Sequence, residues 1–159
     1  MPQQPMEKGR CSEVSMGELS PLIREIVASG GKAELTVTGN SMYPMMKHRV
    51  SMVRLCAPHE PKVGDIPLYQ RNDGVYVLHR IVGMDEDGYI CCGDNQCRLE
   101  KGIRREQIIA VVDEFKRTKR WRSCRSLPYR AYAWCRRVLR PMRRLVRAGM
   151  RRLRRIFGK

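Results

Sequence analysis

A short strand that ends in a sharp turn at Ser41 constrains this chain more than any other stretch. Residues 35–38 are rich in β-branched side chains and favour a strand. Gly39 and Asn40 follow, and these two residue types turn a backbone most readily. Pro44 then keeps the segment from continuing as a helix or a central strand. Ser41 is therefore predicted at the tip of a strand-to-turn transition, which suits a nucleophile and equally suits an ordinary hairpin corner.

Three further motifs follow this turn: Gly64-Asp65-Ile66, His79-Arg80 and Gly93-Asp94-Asn95. Together with Ser41-Met42-Tyr43-Pro44, in this order and at these spacings, they resemble the motif boxes of the type I signal peptidases and the related self-cleaving repressor peptidases. The resemblance is strongest to the Ser-His branch, that of the endoplasmic-reticulum and SipW-like signal peptidases. It covers roughly residues 33–115.

The resemblance implies a serine peptidase that needs no cofactor. Ser41 would be the nucleophile and His79 the general base, with Asp94 accepting a hydrogen bond from the second imidazole nitrogen. Glu100 is the alternative carboxylate for that position. The main-chain N–H groups around Asn40 and Ser41 would stabilise the oxyanion.

Each of these assignments has a structural alternative. A histidine on a strand is commonly a core or cross-strand residue, and Asp94 could be a turn residue. His48 lies near Ser41 in sequence, but an extended, proline-containing segment is expected to carry it away from the serine. Arg80 is expected to be structural, and His59 a solvated loop residue.

The spacing of strand and turn signals predicts a mainly β protein with a coiled antiparallel β domain, one N-terminal helix and a basic amphipathic helical tail. We expect a loose N-terminus over residues 1–18, the catalytic domain over 19–115 and the tail over 116–159. The helix is expected to begin at Ser20-Pro21 and to end at Gly30-Gly31. Further strands are predicted at residues 50–55, 66–70, 75–82, 89–92 and 108–112.

The charge of the chain is concentrated at one end. The net charge is +16, yet residues 1–115 carry 14 basic and 16 acidic side chains, whereas residues 116–159 carry 18 basic and no acidic ones. A polycation attached to a nearly neutral domain indicates an anionic partner.

We call residues 116–159 the basic tail. Its apolar residues recur at steps of three and four, which predicts an amphipathic helix, kinked or restarted at Pro141. An apolar stripe with aromatic residues beside a basic face is typical of a helix lying on an anionic membrane surface. The residues expected to contact that surface are Trp134, Arg136, Arg137, Arg143, Arg144, Arg147, Arg151 and Arg152. Nucleic-acid binding, or packing of the stripe on the β domain or on another copy of itself, are the alternatives.

The seven cysteines are odd in number and form no CxxC pair, so no metal site is expected and a reducing compartment is favoured. No secretory signal and no apolar span of about 20 residues is evident in the sequence. Typical signal peptidases have a transmembrane anchor, so this departure puts a signal-peptide substrate in doubt. We expect a cytoplasmic protein held peripherally to the inner face of a bacterial-type membrane.

The sequence therefore favours a serine endopeptidase that cuts a precursor or leader peptide at a membrane surface. Its partners would be a peptide or protein substrate and an anionic membrane. The rival interpretation is a non-catalytic, peptidase-like module whose polybasic helix binds anionic lipid or nucleic acid.

Overall fold

Alternating apolar residues fold the chain into two antiparallel sheets with a helix at each end. The computed structural model describes residues 15–142, 145–146 and 149–150. The helices are α1 (Met16–Ala28) and α2 (Leu127–Val138), with a short 3-10 helix at Arg105–Gln107. The strands are β1 (Ala33–Thr36), β2 (Met52–Cys56), β3 (Pro67–Gln70), β4 (Tyr76–Leu78), β5 (Arg80–Asp85), β6 (Gly88–Cys92), β7 (Glu100–Ile103), β8 (Ile108–Lys116) and β9 (Arg122–Ser123).

The longest strand, β8, organises the larger sheet. That sheet has the order β1-β2-β8-β3-β4, and β9 pairs with β8 as well. The smaller sheet has the order β5-β6-β7, and every pairing among the described strands is antiparallel. The prediction of a mainly β, antiparallel protein is therefore confirmed.

The main core lies between α1 and the larger sheet. It is built from buried aliphatic side chains, among them Ile23, Val27, Leu55, Ile66 and Ile109. A second cluster, which includes Tyr69, Ile81 and Cys91, lies where the two sheets meet. The sheets are thus joined by packed side chains as well as by the chain itself.

Helix α1 begins earlier than predicted. Ser15 is its N-cap and accepts a hydrogen bond from the Glu18 N–H at 3.3 Å, while the Glu18 carboxylate accepts one from the Ser15 N–H at 3.2 Å. This capping box satisfies two of the otherwise unpaired N–H groups of the first turn. Pro21 consequently lies inside the helix, and Ser20 is buried rather than being the cap. The start predicted from Ser20-Pro21 was wrong because the earlier capping box decides where the helix begins.

The segment predicted as one strand over residues 75–82 is two strands. β4 ends at Leu78 and β5 begins at Arg80, so His79 lies between them, where the chain passes from the larger sheet to the smaller one. Strand β7 was not predicted, because its residues Glu100, Lys101 and Gly102 lack the alternation of apolar and polar side chains that marks a strand. Gly102 also has a positive φ of 69°. The position of β7 matters because it carries Glu100.

The first part of the basic tail packs on the β domain. Strand β9 adds to β8, and α2 buries Tyr129 and Ala133 against the domain. The rings of Tyr129 and Phe115 lie 6.1 Å apart. Helix α2 ends at Val138, and residues 140–142 are helical again, which agrees with the interruption predicted near Pro141.

Among the described residues, no helix has both the length and the apolar character that crossing a bilayer requires.

Candidate active site

Two buried methionines hold the turn that carries Ser41. The side chains of Met42 and Met46 are fully buried in the main core, and the Met46 N–H donates to the Met42 carbonyl at 3.0 Å. The Tyr43 N–H donates to the Asn40 carbonyl at 3.2 Å, and the Tyr43–Pro44 peptide bond is cis. Ser41 remains partly exposed. The turn is therefore anchored by its apolar residues while its serine faces outwards.

Gly93 brings this turn against the histidine. A Cβ atom at Gly93 would lie 3.1 Å from Ser41 Cβ and 3.1 Å from His79 Nε2. Ser41 Cβ and His79 Nε2 are therefore separated by at most twice that distance. The Asn95 N–H also donates to the Ser41 carbonyl at 2.6 Å. Glycine is required here because any side chain would occupy the space that the two site residues share.

His79 is buried where the two sheets meet, and its ring has two distinct environments. Nδ1 lies 3.1 Å from Glu100 Oε1, and Nε2 is the nitrogen near Gly93 and Ser41. In a neutral imidazole the nitrogen beside a carboxylate carries the proton. This assigns the proton to Nδ1 and leaves the Nε2 lone pair on the side of Ser41.

Glu100 is held by donors from the end of β3 in the larger sheet and from the residue that follows that strand. The Tyr69 hydroxyl donates to Oε2 at 2.6 Å and the Arg71 Nε to the same oxygen at 2.8 Å, and Arg71 Nη2 donates to Oε1. Burial alone would raise the pKa of Glu100, but the hydrogen bonds from Arg71 and Tyr69 outweigh it and lower that pKa below 4.5. The carboxylate therefore stays ionised beside the imidazole at neutral pH.

Burial also sets the protonation of the histidine. It lowers the pKa of His79 below 6.5, and the Glu100 carboxylate opposes this shift without reversing it. At neutral pH the imidazole is therefore uncharged and able to accept a proton.

Asp94 does not take the position behind the imidazole that the sequence analysis favoured; the carboxylate beside Nδ1 is that of Glu100. Asp94 instead forms a two-point ion pair with Arg80, from Nε to Oδ1 at 2.9 Å and from Nη2 to Oδ2 at 2.8 Å. Both side chains are almost wholly buried, at 1% and 2% exposure. Although burial lowers it, hydrogen bonding to Asp94 raises the pKa of Arg80 above its ordinary value, so the guanidinium remains charged. Sequence order alone could not separate the two acidic residues, because both follow the same hairpin.

Arg80 also ties the sequence motifs to α2, in keeping with the structural role expected for it. Its Nη1 donates to the Gly64 carbonyl and to the Tyr129 hydroxyl, each at 2.8 Å. The Tyr129 hydroxyl donates in turn to the Gly64 carbonyl at 2.8 Å. Arg136 on the same helix donates to the Asp94 carbonyl.

The backbone beside Ser41 offers unpaired donors. Within the described chain, the N–H groups of Asn40 and Ser41 have no hydrogen-bond acceptor. They are the groups expected from the sequence to bind an oxyanion, and they are available to do so.

The remaining histidines lie outside this cluster. His48 returns towards the turn, contrary to the expectation for an extended segment, because residues 41–50 form successive turns. Its Nδ1 accepts a hydrogen bond from the Gly39 N–H at 2.8 Å, so it caps the turn. His59 is an exposed loop residue, as predicted.

A small cavity of about 210 Å³ gives access to Ser41 and His79. Its walls come from the residues after β1, Val37 and Thr38, and from strand β4. Because β4 is the outermost strand of its sheet, this cavity lies along an edge with unpaired backbone groups.

The residues assigned to a membrane surface are only partly described. Trp134 is 60% exposed and Arg137 is exposed, whereas Arg136 is partly buried through its contact with Asp94. The other five, Arg143, Arg144, Arg147, Arg151 and Arg152, lie outside the described residues.

In the described part of the chain, no three side chains of the metal-binding kinds come together.

No family model and no curated protein matches this sequence.

Replacing Asp94 by Asn is expected to destabilise the fold. The change removes one partner of a buried ion pair and leaves the Arg80 charge uncompensated, which typically costs about 3–5 kcal/mol. Urea unfolding should detect it. The matched control is Asp85→Asn, which breaks the exposed contact with Lys101 at 3.8 Å and should cost less than about 1 kcal/mol. Equal effects of the two variants would argue against the structural role of the buried pair.

Replacing Glu100 by Gln is expected to lower the pKa of His79 further. Glu100 raises that pKa and Arg71 lowers it, so removing the carboxylate takes away the first influence and leaves the second uncompensated. NMR titration of the imidazole resonances measures the shift, with His48 and His59 as internal references. Asp94→Asn should change the value less, because Asp94 is the weakest of these influences. An unchanged or raised pKa in Glu100→Gln would contradict the assignment of Glu100 to the imidazole.

Proposed function

We propose that this protein is a serine endopeptidase in which Ser41 is the nucleophile, His79 the general base and Glu100 the carboxylate that positions the base. The observation that carries the proposal is the convergence of Ser41 and His79 Nε2 over the side-chain-free Gly93, with a carboxylate on the opposite nitrogen. A serine hydroxyl is a weak nucleophile by itself and needs an adjacent base.

The chemistry follows from these positions. Ser41 Oγ attacks the substrate carbonyl as His79 Nε2 takes its proton, and the resulting imidazolium is stabilised by Glu100. His79 then gives the proton to the leaving amine, which produces an acyl-enzyme. Water, activated by the same imidazole, hydrolyses this ester. The N–H groups of Asn40 and Ser41 would bind the negatively charged oxygen in both steps.

The lowered pKa of His79 supports activity at and below neutral pH. Because the base must be uncharged, activity should fall only as the pH drops through that pKa, which lies below 6.5.

The shape of the cavity favours an extended peptide as substrate. An extended chain can pair with the free edge of β4, and its side chains can enter the space beside Ser41. Such pairing depends on backbone groups, so an unfolded leader or precursor segment fits better than a folded protein.

A peripheral position on an anionic membrane is part of this proposal. Trp134 and Val138 are four residues apart on α2, and Leu127 is seven before Trp134, so all three share one face. All are exposed, whereas Tyr129 and Ala133 on the opposite face are buried against the domain. An apolar face turned away from the domain, with arginines beside it, supports contact with a lipid interface.

The decisive test is covalent labelling of the serine. A fluorophosphonate probe should modify the wild-type protein and fail to modify Ser41→Ala, since the probe reacts with an activated serine hydroxyl. His79→Ala should slow the labelling by about 10²–10⁴-fold through loss of the base.

The control is Ser29→Ala, which removes an exposed hydroxyl at the end of α1 and should label like the wild type. Labelling that persists in Ser41→Ala would end the assignment. No labelling of the wild type would instead favour the non-catalytic lipid- or nucleic-acid-binding module.

Replacing Gly93 by Ala should reduce the labelling rate by at least about a hundredfold, because small displacements of reacting groups cost that much. The added Cβ would lie 2.8 Å from the Ser41 carbonyl oxygen and 3.1 Å from His79 Nε2, so these groups must move apart. Gly83→Ala is the matched control, since a Cβ there would meet Ile90 Cδ1 at an ordinary 3.6 Å. Wild-type rates in both variants would show that Ser41 and His79 do not work together.

A further inference from the structure

A second and larger cavity lies on the far side of the serine turn, between that turn and the start of α2. Its volume is about 700 Å³. The loop after β8, strand β9 and the first turn of α2 form its walls, and Pro44 and Met45 close it on the side of the serine turn. The proposed peptidase chemistry makes no use of this space.

Three arginines line the cavity, Arg117, Arg120 and Arg122, and no carboxylate of the described residues does. Some cations elsewhere in the domain are neutralised: Arg54 pairs with Glu34 and Glu114, and Arg71 with Glu100. None of the three cavity arginines forms an ion pair with a carboxylate of the described chain. Three like charges gathered around one space, with no counter-charge, are suited to an anion.

The N-terminus of α2, which borders the cavity, adds to this positive charge. Ser126 is the N-cap of α2, but its side chain makes no capping hydrogen bond, and the first turn contains no acidic residue. The positive end of the helix therefore has no compensating negative side chain.

Part of the cavity lining is apolar. It is formed by Met45, Phe115, Pro128 and Tyr129. Beside Pro128, the side chain of Leu127 is 76% exposed. A ligand that matched both the arginines and the apolar residues would carry a negatively charged group at one end and hydrocarbon at the other.

We propose that this cavity binds the phosphate headgroup and adjoining acyl chain of an anionic phospholipid. The arginines take the phosphate, for which the planar guanidinium is the preferred partner. The apolar lining and Leu127 take the hydrocarbon. The cavity thus binds an individual lipid molecule, which is distinct from the diffuse attraction of a polycation to a charged surface.

Two other anions fit less well. Free phosphate would leave the apolar lining unused. A single-stranded nucleic acid would require exposed aromatic rings on which bases can stack. Of the aromatic residues that line the cavity, Phe115 and Tyr129 are only 8% and 7% exposed and Tyr132 is half-buried.

The site is in contact with the serine turn through one hydrogen bond. Arg117 Nη1 donates to the Pro44 carbonyl at 3.0 Å. Arg117 would therefore contact both the bound phosphate and the turn that carries Ser41.

The test uses the full-length protein and short-chain lipids below their micelle-forming concentration, so that no membrane surface is present. Isothermal titration calorimetry should show binding of dihexanoyl-phosphatidylglycerol. Inorganic phosphate, which lacks the hydrocarbon, and dihexanoyl-phosphatidylcholine, which lacks the net charge, should each bind at least about tenfold more weakly.

The double variant Arg120→Gln, Arg122→Gln should weaken phosphatidylglycerol binding by at least about tenfold. Its matched control, Arg24→Gln, Arg104→Gln, removes the same charge from exposed positions outside the cavity and should leave the affinity unchanged. Unchanged melting temperatures would show that both variants are folded. An equal loss in the two variants, phosphate binding as tightly as the lipid, or no binding by the wild type would each overturn the proposal. These outcomes do not depend on whether Ser41 is a nucleophile.

Discussion

One buried guanidinium group holds together the parts of the chain that form the candidate site. Arg80 reaches the Asp94 carboxylate, the Gly64 carbonyl and the Tyr129 hydroxyl at once. These partners come from three separate regions of the sequence, and removing any of them would leave an unsatisfied charge or dipole in the core. The neighbouring residue, His79, is placed by the same contacts, so the position of the imidazole is a consequence of how its neighbour is buried.

The absence of a side chain at Gly93 is the complementary constraint. Arg80 anchors the chain next to His79, and Gly93 leaves room for the serine turn to approach the imidazole. The buried methionines beneath Ser41 complete the arrangement by preventing the turn from moving outwards. Rigid support from all sides is what a reactive pair needs if it is to keep its geometry.

The strands could be predicted because they depend on local signals, whereas Ser41 and His79 were singled out by the resemblance of the ordered motifs to a peptidase family. Alternation and Asp-Gly turns specify strands within a few residues, and the motif order points to Ser41 and His79. The choice between Asp94 and Glu100 depends on long-range contacts, since Arg80 takes one carboxylate while Tyr69 and Arg71 hold the other. The docking of α2 was likewise hidden, because the composition of the basic tail resembles a detached polycation although Tyr129 and Ala133 bury it. Gly93 was visible as part of a motif, but only coordinates reveal what its missing Cβ would touch.

The three site residues are divided between the two sheets. Ser41 follows β1 of the larger sheet, Glu100 begins β7 of the smaller one, and His79 lies at their junction. A newly synthesised chain with only one sheet formed would have no complete set. In the proposed peptidase, activity would therefore appear only after both sheets have formed and packed together.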